Sequence, residues 1–200
     1  MWMTTLKKIR SHSPCEDGWE KLLKHLGKTK ADDDPLSIIE ILSSNGLSDA
    51  LWCLRAVDGH DREIRRYAFW CVRQVQNLMT DQRSIDALDV AERYANGLAT
   101  AGELSAARAA ASRASWAARA AASRASRSSW AALASAAAAG AAVAYASDAM
   151  TAALASADAA AWAAADMTAA RYTAAWASAR ASARTAAFAA QAAQLREMAS

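Results

Sequence analysis

The residues with the greatest chemical potential form an arginine–serine–tryptophan pattern. Residues 108–126 read RAAASRASWAARAAASRAS, and the octet RAAASRAS occurs twice, eleven residues apart. Between 104 and 147 there are five arginines and no acid, with Trp116 and Trp130 among them. Guanidinium groups neutralise phosphate and indoles stack on bases, so one chemistry open to this pattern is binding RNA or single-stranded DNA. Tryptophan and arginine also dominate protein interfaces, so the same pattern suits a protein partner.

Other constellations carry less. His12 and Cys15 have a metal-like spacing, with Cys53, His60 and Cys71 as candidate companions, but no second closely spaced pair completes four ligands. The second half has many serines and no histidine, so a Ser–His nucleophile would have to borrow His25 or His60. The run Asp32-Asp33-Asp34 precedes Pro35 and reads as a solvated linker ending in a helix cap. No G-x-G-x-x-G or P-loop occurs. The expectation is a protein that is not an enzyme and takes no metal and no cofactor.

The elements that must position the arginines follow from a break in composition near residue 101. Residues 1–100 hold 14 Lys+Arg against 15 Asp+Glu, whereas residues 101–200 hold 9 arginines, no lysine and 5 acids. Alanine fills 50 of those last hundred positions. The expected division is a helical bundle over 1–100 and an Ala-rich helical hairpin over 101–200, or one continuous domain. The odd cysteine count, without C-x-x-C, favours free thiols in a reducing compartment, hence the cytoplasm. MWMTTLKKIRSHSP has no apolar core of a signal peptide. Residues 128–147 carry no charge and have the length of a bilayer span, but alanine contributes little transfer energy, so no membrane span is expected.

The first hundred residues read as short helices with clear punctuation. Ser13 to Glu16 has capping-box spacing, and Gly27 closes the apolar pattern of Trp19, Leu22, Leu23 and Leu26. Asp34 as N-cap and Pro35 at the first helical position open a helix through Ile41 and Leu42 that stops at Asn45-Gly46. Ser48 opens another, ending near Asp58-Gly59. Residues 61–79 carry Ile64, Ala68, Cys71, Val75 and Leu78 on one face. Thr80 caps a helix ended by Asn96-Gly97, and Thr100 with Glu103 forms a second capping box. Trp52 and Trp70 fall on apolar faces and are expected in the core. Nothing alternates with period two, so no sheet is expected. Helices joined by such short turns imply a bundle or a short α-solenoid.

The alanine-rich half has two faces. Eleven residues make three turns at about 3.67 per turn, so the repeat keeps its sides aligned. At about 100° per residue, Arg108, Arg113, Trp116, Arg119, Arg124, Arg127 and Trp130 share one side. Ala107, Ala110, Ala111, Ala114 and Ala118 lie opposite and allow close approach of another helix. Beyond Gly140, Asp148, Asp158, Trp162, Asp166, Trp176, Arg180 and Arg184 cluster in the same way. A reversal near Gly140 would set Asp158 beside Arg119 or Arg124, and Asp166 beside Arg113. Exposed pairs contribute only about 0–1 kcal/mol each, so they would select register more than stability.

Three stretches carry a family likeness: DALWCLRAV, REIRRYAFWCVRQV, and RSIDALDVAERYANGLATAGELSAARAAA leading into the alanine tail. Together they resemble the immunity-protein-five-like family and its prophage-associated helical relatives rich in Ala, Trp and Arg. The matching positions are Trp52, Trp70, Cys71, Arg83, Ala87, Glu92, Arg93, Gly97 and Leu104; Tyr94 stands where relatives often have Trp. The resemblance implies an all-α inhibitor that binds a toxin or defence effector inside a bacterial cell, without catalytic residues; phage carriage would also permit an anti-defence role. The expected partner-binding residues are Arg113, Trp116, Arg119, Arg124, Arg127 and Trp130, then Trp162, Trp176, Arg180 and Arg184. Nucleic-acid binding through the same face is the alternative, and a structural scaffold that forms homo-oligomers is the third reading.

Overall fold

The computed structural model describes residues 1–74, 76–79, 81–122 and 174–200, with side chains except at 78, 115–122 and 174–183. Among these residues the protein is mainly α-helical, with eight α-helices. In chain order they are α1 (Leu6–Ser11), α2 (Glu16–Leu26), α3 (Ile38–Asn45), α4 (Leu47–Cys53), α5 (Asp61–Arg73), α6 (Gln82–Ala95), α7 (Ala101–Ala122) and α8 (Ala174–Ala199). Short 3-10 turns at Leu54–Ala56 and Gln76–Leu78 follow α4 and α5. The reversal expected near Gly140, and the pairing of Asp158 and Asp166 with arginines, lie outside the described residues.

The expectation of no sheet is corrected by a minimal one. Strand β1 (Met3–Thr4) pairs antiparallel with β2 (Leu36–Ser37), with Met3 opposite Ser37 and Thr4 opposite Leu36. Two residues per strand are too few for a period-two pattern to register in the sequence. The strand also moves the start of α3. Ser37 is its N-cap, accepting from the Ile39 N–H at 3.1 Å, where Asp34 was expected. Asp34 instead pairs with Lys28 at 2.8 Å, and Lys28 holds Asp32 at 2.6 Å.

Three further helix starts differ from expectation. Ser13 adopts φ 56°, a left-handed conformation incompatible with the extended backbone of an N-cap, so Cys15 takes that position in α2 without a side-chain bond. Gly46 precedes α4 in place of Ser48, and that helix ends at Cys53, short of Asp58. Asp81, accepting from the Arg83 N–H at 3.0 Å, caps α6 in place of Thr80. The helix expected over 61–79 is also shorter, since α5 ends at Arg73 and a separate 3-10 turn follows at Gln76–Leu78, whereas the ends of α2, α3 and α6 follow the sequence. Gly27 ends α2 with φ 64°, and Lys28 donates back to the Leu23 carbonyl at 2.9 Å, satisfying a terminal acceptor.

The core has two parts. The larger joins Trp2, Leu6 and Ile9 to Leu22, Ile38, Ile41, Leu51, Ile64 and Tyr67, and it also includes Leu195 and Ala199 from the end of α8. Trp52 and Trp70, expected inside, are half-buried against its edge, whereas Trp2 is fully buried. The smaller part joins Phe69, Val72, Leu88 and Ala91 to Leu104, Ala107 and Ala111 of α7. Helix α8 packs on α3, α4 and α5, and α7 packs along α6.

Candidate functional site

Helix α7 carries the start of the arginine pattern, and its N-terminus is locally determined. The Thr100 N–H donates to Glu103 Oε2 at 2.7 Å, and the Glu103 N–H donates to Thr100 Oγ1 at 3.2 Å. This is the capping box expected from the sequence. The Thr100 N–H, then its hydroxyl, holds the Glu103 carboxyl below its ordinary value. Arg93 at the end of α6 adds a contact to Glu103 at 3.2 Å, which ties the start of α7 to the end of α6.

From that anchor the face of α7 turned inward is small and apolar. Leu104, Ala107, Ala111 and Ala114 are buried, and the first three close the core part built on α6. Leu104, Ala107 and Ala111 recur at helical spacing, so α6 approaches along one line. Arg113 is exposed, and no hydrogen bond or ion pair joins it to any described residue. Helical register carries positions 116 and 119 to the same side of α7 as Arg113.

The remaining expected contact residues are not brought to one described surface. Arg124, Arg127, Trp130 and Trp162 lie outside the described residues. Trp176 and Arg180 fall on α8, and their side chains are not described. Arg184, also on α8, is half-buried with its guanidinium carbon 5.1 Å from the centroid of the Phe188 ring.

Trp70, Cys71, Arg83, Glu92 and Gly97, singled out in the sequence, have structural roles here. Arg83 grips Asp81 through two bonds at 2.9 and 2.5 Å, and Glu92 receives Arg73 at 2.6 Å. Gly97 takes φ 73° at the turn after α6, a conformation that disfavours any residue with a Cβ. Trp70 stacks on Tyr67 at 6.4 Å between ring centroids, and Cys71 is fully buried.

A concave feature lies in the first half, where no binding residue was expected. Helices α2, α3 and α4 line a half-open cavity of about 310 Å³ walled by Trp19, Leu22, Ile41 and Trp52, with Asp49 and Cys15 also in its lining. Trp19, Leu22, Ile41 and Trp52 had each drawn attention in the sequence as apolar helix positions, and Cys15 for its spacing from His12, but nothing there brought them together. Asp49 has no motif around it; its place depends on α2 crossing the α3–α4 junction. Among the described residues no group of three His, Cys, Asp or Glu is placed to hold a metal ion, and no helix is long and apolar enough to cross a membrane. No family model, no curated protein and no solved structure matches the chain.

Proposed function

We propose that this chain is a non-catalytic binding protein whose arginine- and tryptophan-bearing side of α7 covers the working surface of a protein partner. The observation that supports it is the division of α7. Leu104, Ala107, Ala111 and Ala114 are spent on internal packing, and Arg113 stays in solvent without a partner among the described residues. A helix anchored along one side presents its other side rigidly, which lowers the ordering cost of binding. The resemblance read from the sequence at Trp52, Trp70, Arg83 and Glu92 supports a toxin or bacterial defence effector as the partner, with the protein as an immunity or anti-defence inhibitor of phage or prophage type. Such a partner would present carboxylates to Arg113 and Arg119 and an apolar pocket to Trp116.

The test is capture from bacterial lysate by the full chain and by a variant with Arg113, Trp116 and Arg119 all changed to Ala. A partner held by the first and lost by the second supports the reading, provided the variant keeps its helical circular dichroism. An identical set of captured proteins overturns it. The exposed Arg113 guanidinium also suits phosphate, so nucleic-acid binding is the second reading. That reading requires RNA or DNA affinity that falls steeply with rising salt.

A further inference from the structure

The cavity between α2, α3 and α4 has a wall of unusual composition. Trp19, Leu22, Ile41 and Trp52 make it apolar, and among the lining residues Asp49 is the one charged side chain. Asp49 is half-buried. Its Oδ2 accepts from Asn45 Nδ2 at 2.8 Å, and the same amide donates to the Gly18 carbonyl at 2.8 Å. A neutral amide therefore orients the carboxylate without neutralising it. No cationic side chain among the described residues forms an ion pair with Asp49, whereas Asp33, Asp58 and Asp81 each hold a lysine or arginine.

Gly18 leaves space for this arrangement. A Cβ there would lie 2.9 Å from Asp49 Oδ2 and 3.0 Å from Cys15 Sγ, so any side chain would displace the carboxylate or the thiol in the cavity lining. The two indoles add a preference of the same sign, because the negative face of an aromatic ring attracts cations. Each already does so elsewhere. The Arg10 guanidinium lies 5.4 Å from the Trp19 ring and that of Arg55 lies 4.0 Å from Trp52, and neither arginine lines the cavity. The volume of about 310 Å³ falls at the small end of ligand sites, which span roughly 300–1,000 Å³.

We propose that this cavity binds a small organic cation, an ammonium carried on an aryl or alkyl body. The apolar body fills the space between Trp19, Leu22, Ile41 and Trp52, and the ammonium donates to Asp49. This site is independent of the α7 surface, so either can fail without the other.

The test uses the full chain and two probes of one shape and opposite charge, 2-phenylethylammonium and 3-phenylpropionate. Cys15 is exposed in the cavity lining while Cys53 and Cys71 are buried, so Cys15 alkylation by iodoacetamide reports occupancy. The ammonium is expected to slow alkylation of wild-type Cys15 saturably, and the carboxylate to leave it unchanged. Asp49→Asn is expected to raise the half-protecting concentration of the ammonium about tenfold or more. Equal protection by both probes, or no protection by the ammonium at millimolar concentration, overturns the proposal on the wild-type protein alone. Unchanged protection in a folded Asp49→Asn variant overturns it as well.

Discussion

The backbone N–H of Trp2 donates to the carbonyl of Ala199 at 2.9 Å, so the second residue of the sequence closes the end of its last helix. The Trp2 carbonyl in turn accepts from the Ile38 N–H at 3.1 Å, linking α8 to the start of α3 through one residue. Around these bonds the Trp2 indole, Leu195 and Ala199 are all fully buried. The end of the alanine-rich half is thereby a component of the core of the first half.

Leu195→Ala should therefore destabilise the whole protein, although it lies in a helix of high intrinsic propensity. Removing a fully buried leucine costs about 2–5 kcal/mol, depending on how far the cavity relaxes. Urea unfolding followed by tryptophan fluorescence should give a lower midpoint with an unchanged slope. A loss below about 1 kcal/mol would mean that α8 is not docked as described.

The contrast between Thr100 and Trp2 explains what could be read from the chain. Thr100 and Glu103 satisfy each other within one turn, so their cap is visible in four letters. Gly27 and Gly97 likewise mark turns that need a left-handed backbone. Trp2 gains its place only from Ala199 and Ile38, and no local pattern announces contacts across that separation. The same holds for Ser37, which caps α3 only because Leu36 and Ser37 first pair with Met3 and Thr4. The all-α class and the inward alanine stripe of α7 were legible from periodicity. The cavity was not, because Trp19 and Asp49 belong to different helices and meet only through the approach of α2 at Gly18.

Tyr67→Phe tests the second attachment of α8. The Tyr67 hydroxyl donates to the carbonyl of Gln191 at 3.3 Å in a buried setting. Its loss leaves that acceptor without the phenol and should destabilise by about 0.5–1.5 kcal/mol. Because the ring is unchanged, core packing is kept, and an effect above about 3 kcal/mol would show that the hydroxyl does more than bridge the helices. Thermal and urea unfolding of both proteins at one pH decide this.

The capping box of α7 should make stability sensitive to acid. The Glu103 carboxyl titrates below its ordinary value of 4.5 because the Thr100 N–H and hydroxyl, and then Arg93, favour its charged form. A depressed folded value means that the stabilisation is complete above the ordinary value and is lost as pH falls through the folded one. The melting-temperature difference between wild type and Glu103→Gln should therefore shrink as pH falls below the ordinary value of 4.5. Thr100→Ala removes the hydroxyl at neutral pH and should destabilise by about 0.5–2 kcal/mol. A pH-independent difference for Glu103→Gln would reject the capping role of the carboxylate.

Alkaline conditions should act on the opposite side of the neutral range, through the buried thiols. Burial pushes both Cys53 and Cys71 up from an ordinary 9.0 to about 12. Here the folded value is raised, so the contribution to stability is fully present below pH 9 and declines as pH rises towards 12. In the unfolded chain the thiols ionise first, which draws the equilibrium away from the native state. Stability measured by urea unfolding should fall through this range, and Cys71→Ala should flatten the decline. At pH near 8 the native protein should react quickly with an aromatic disulfide at Cys15 alone, and at all three cysteines once unfolded. Rapid native-state reaction of Cys53 or Cys71 would show that the core opens on the timescale of the assay, and would contradict the burial that raises both thiols.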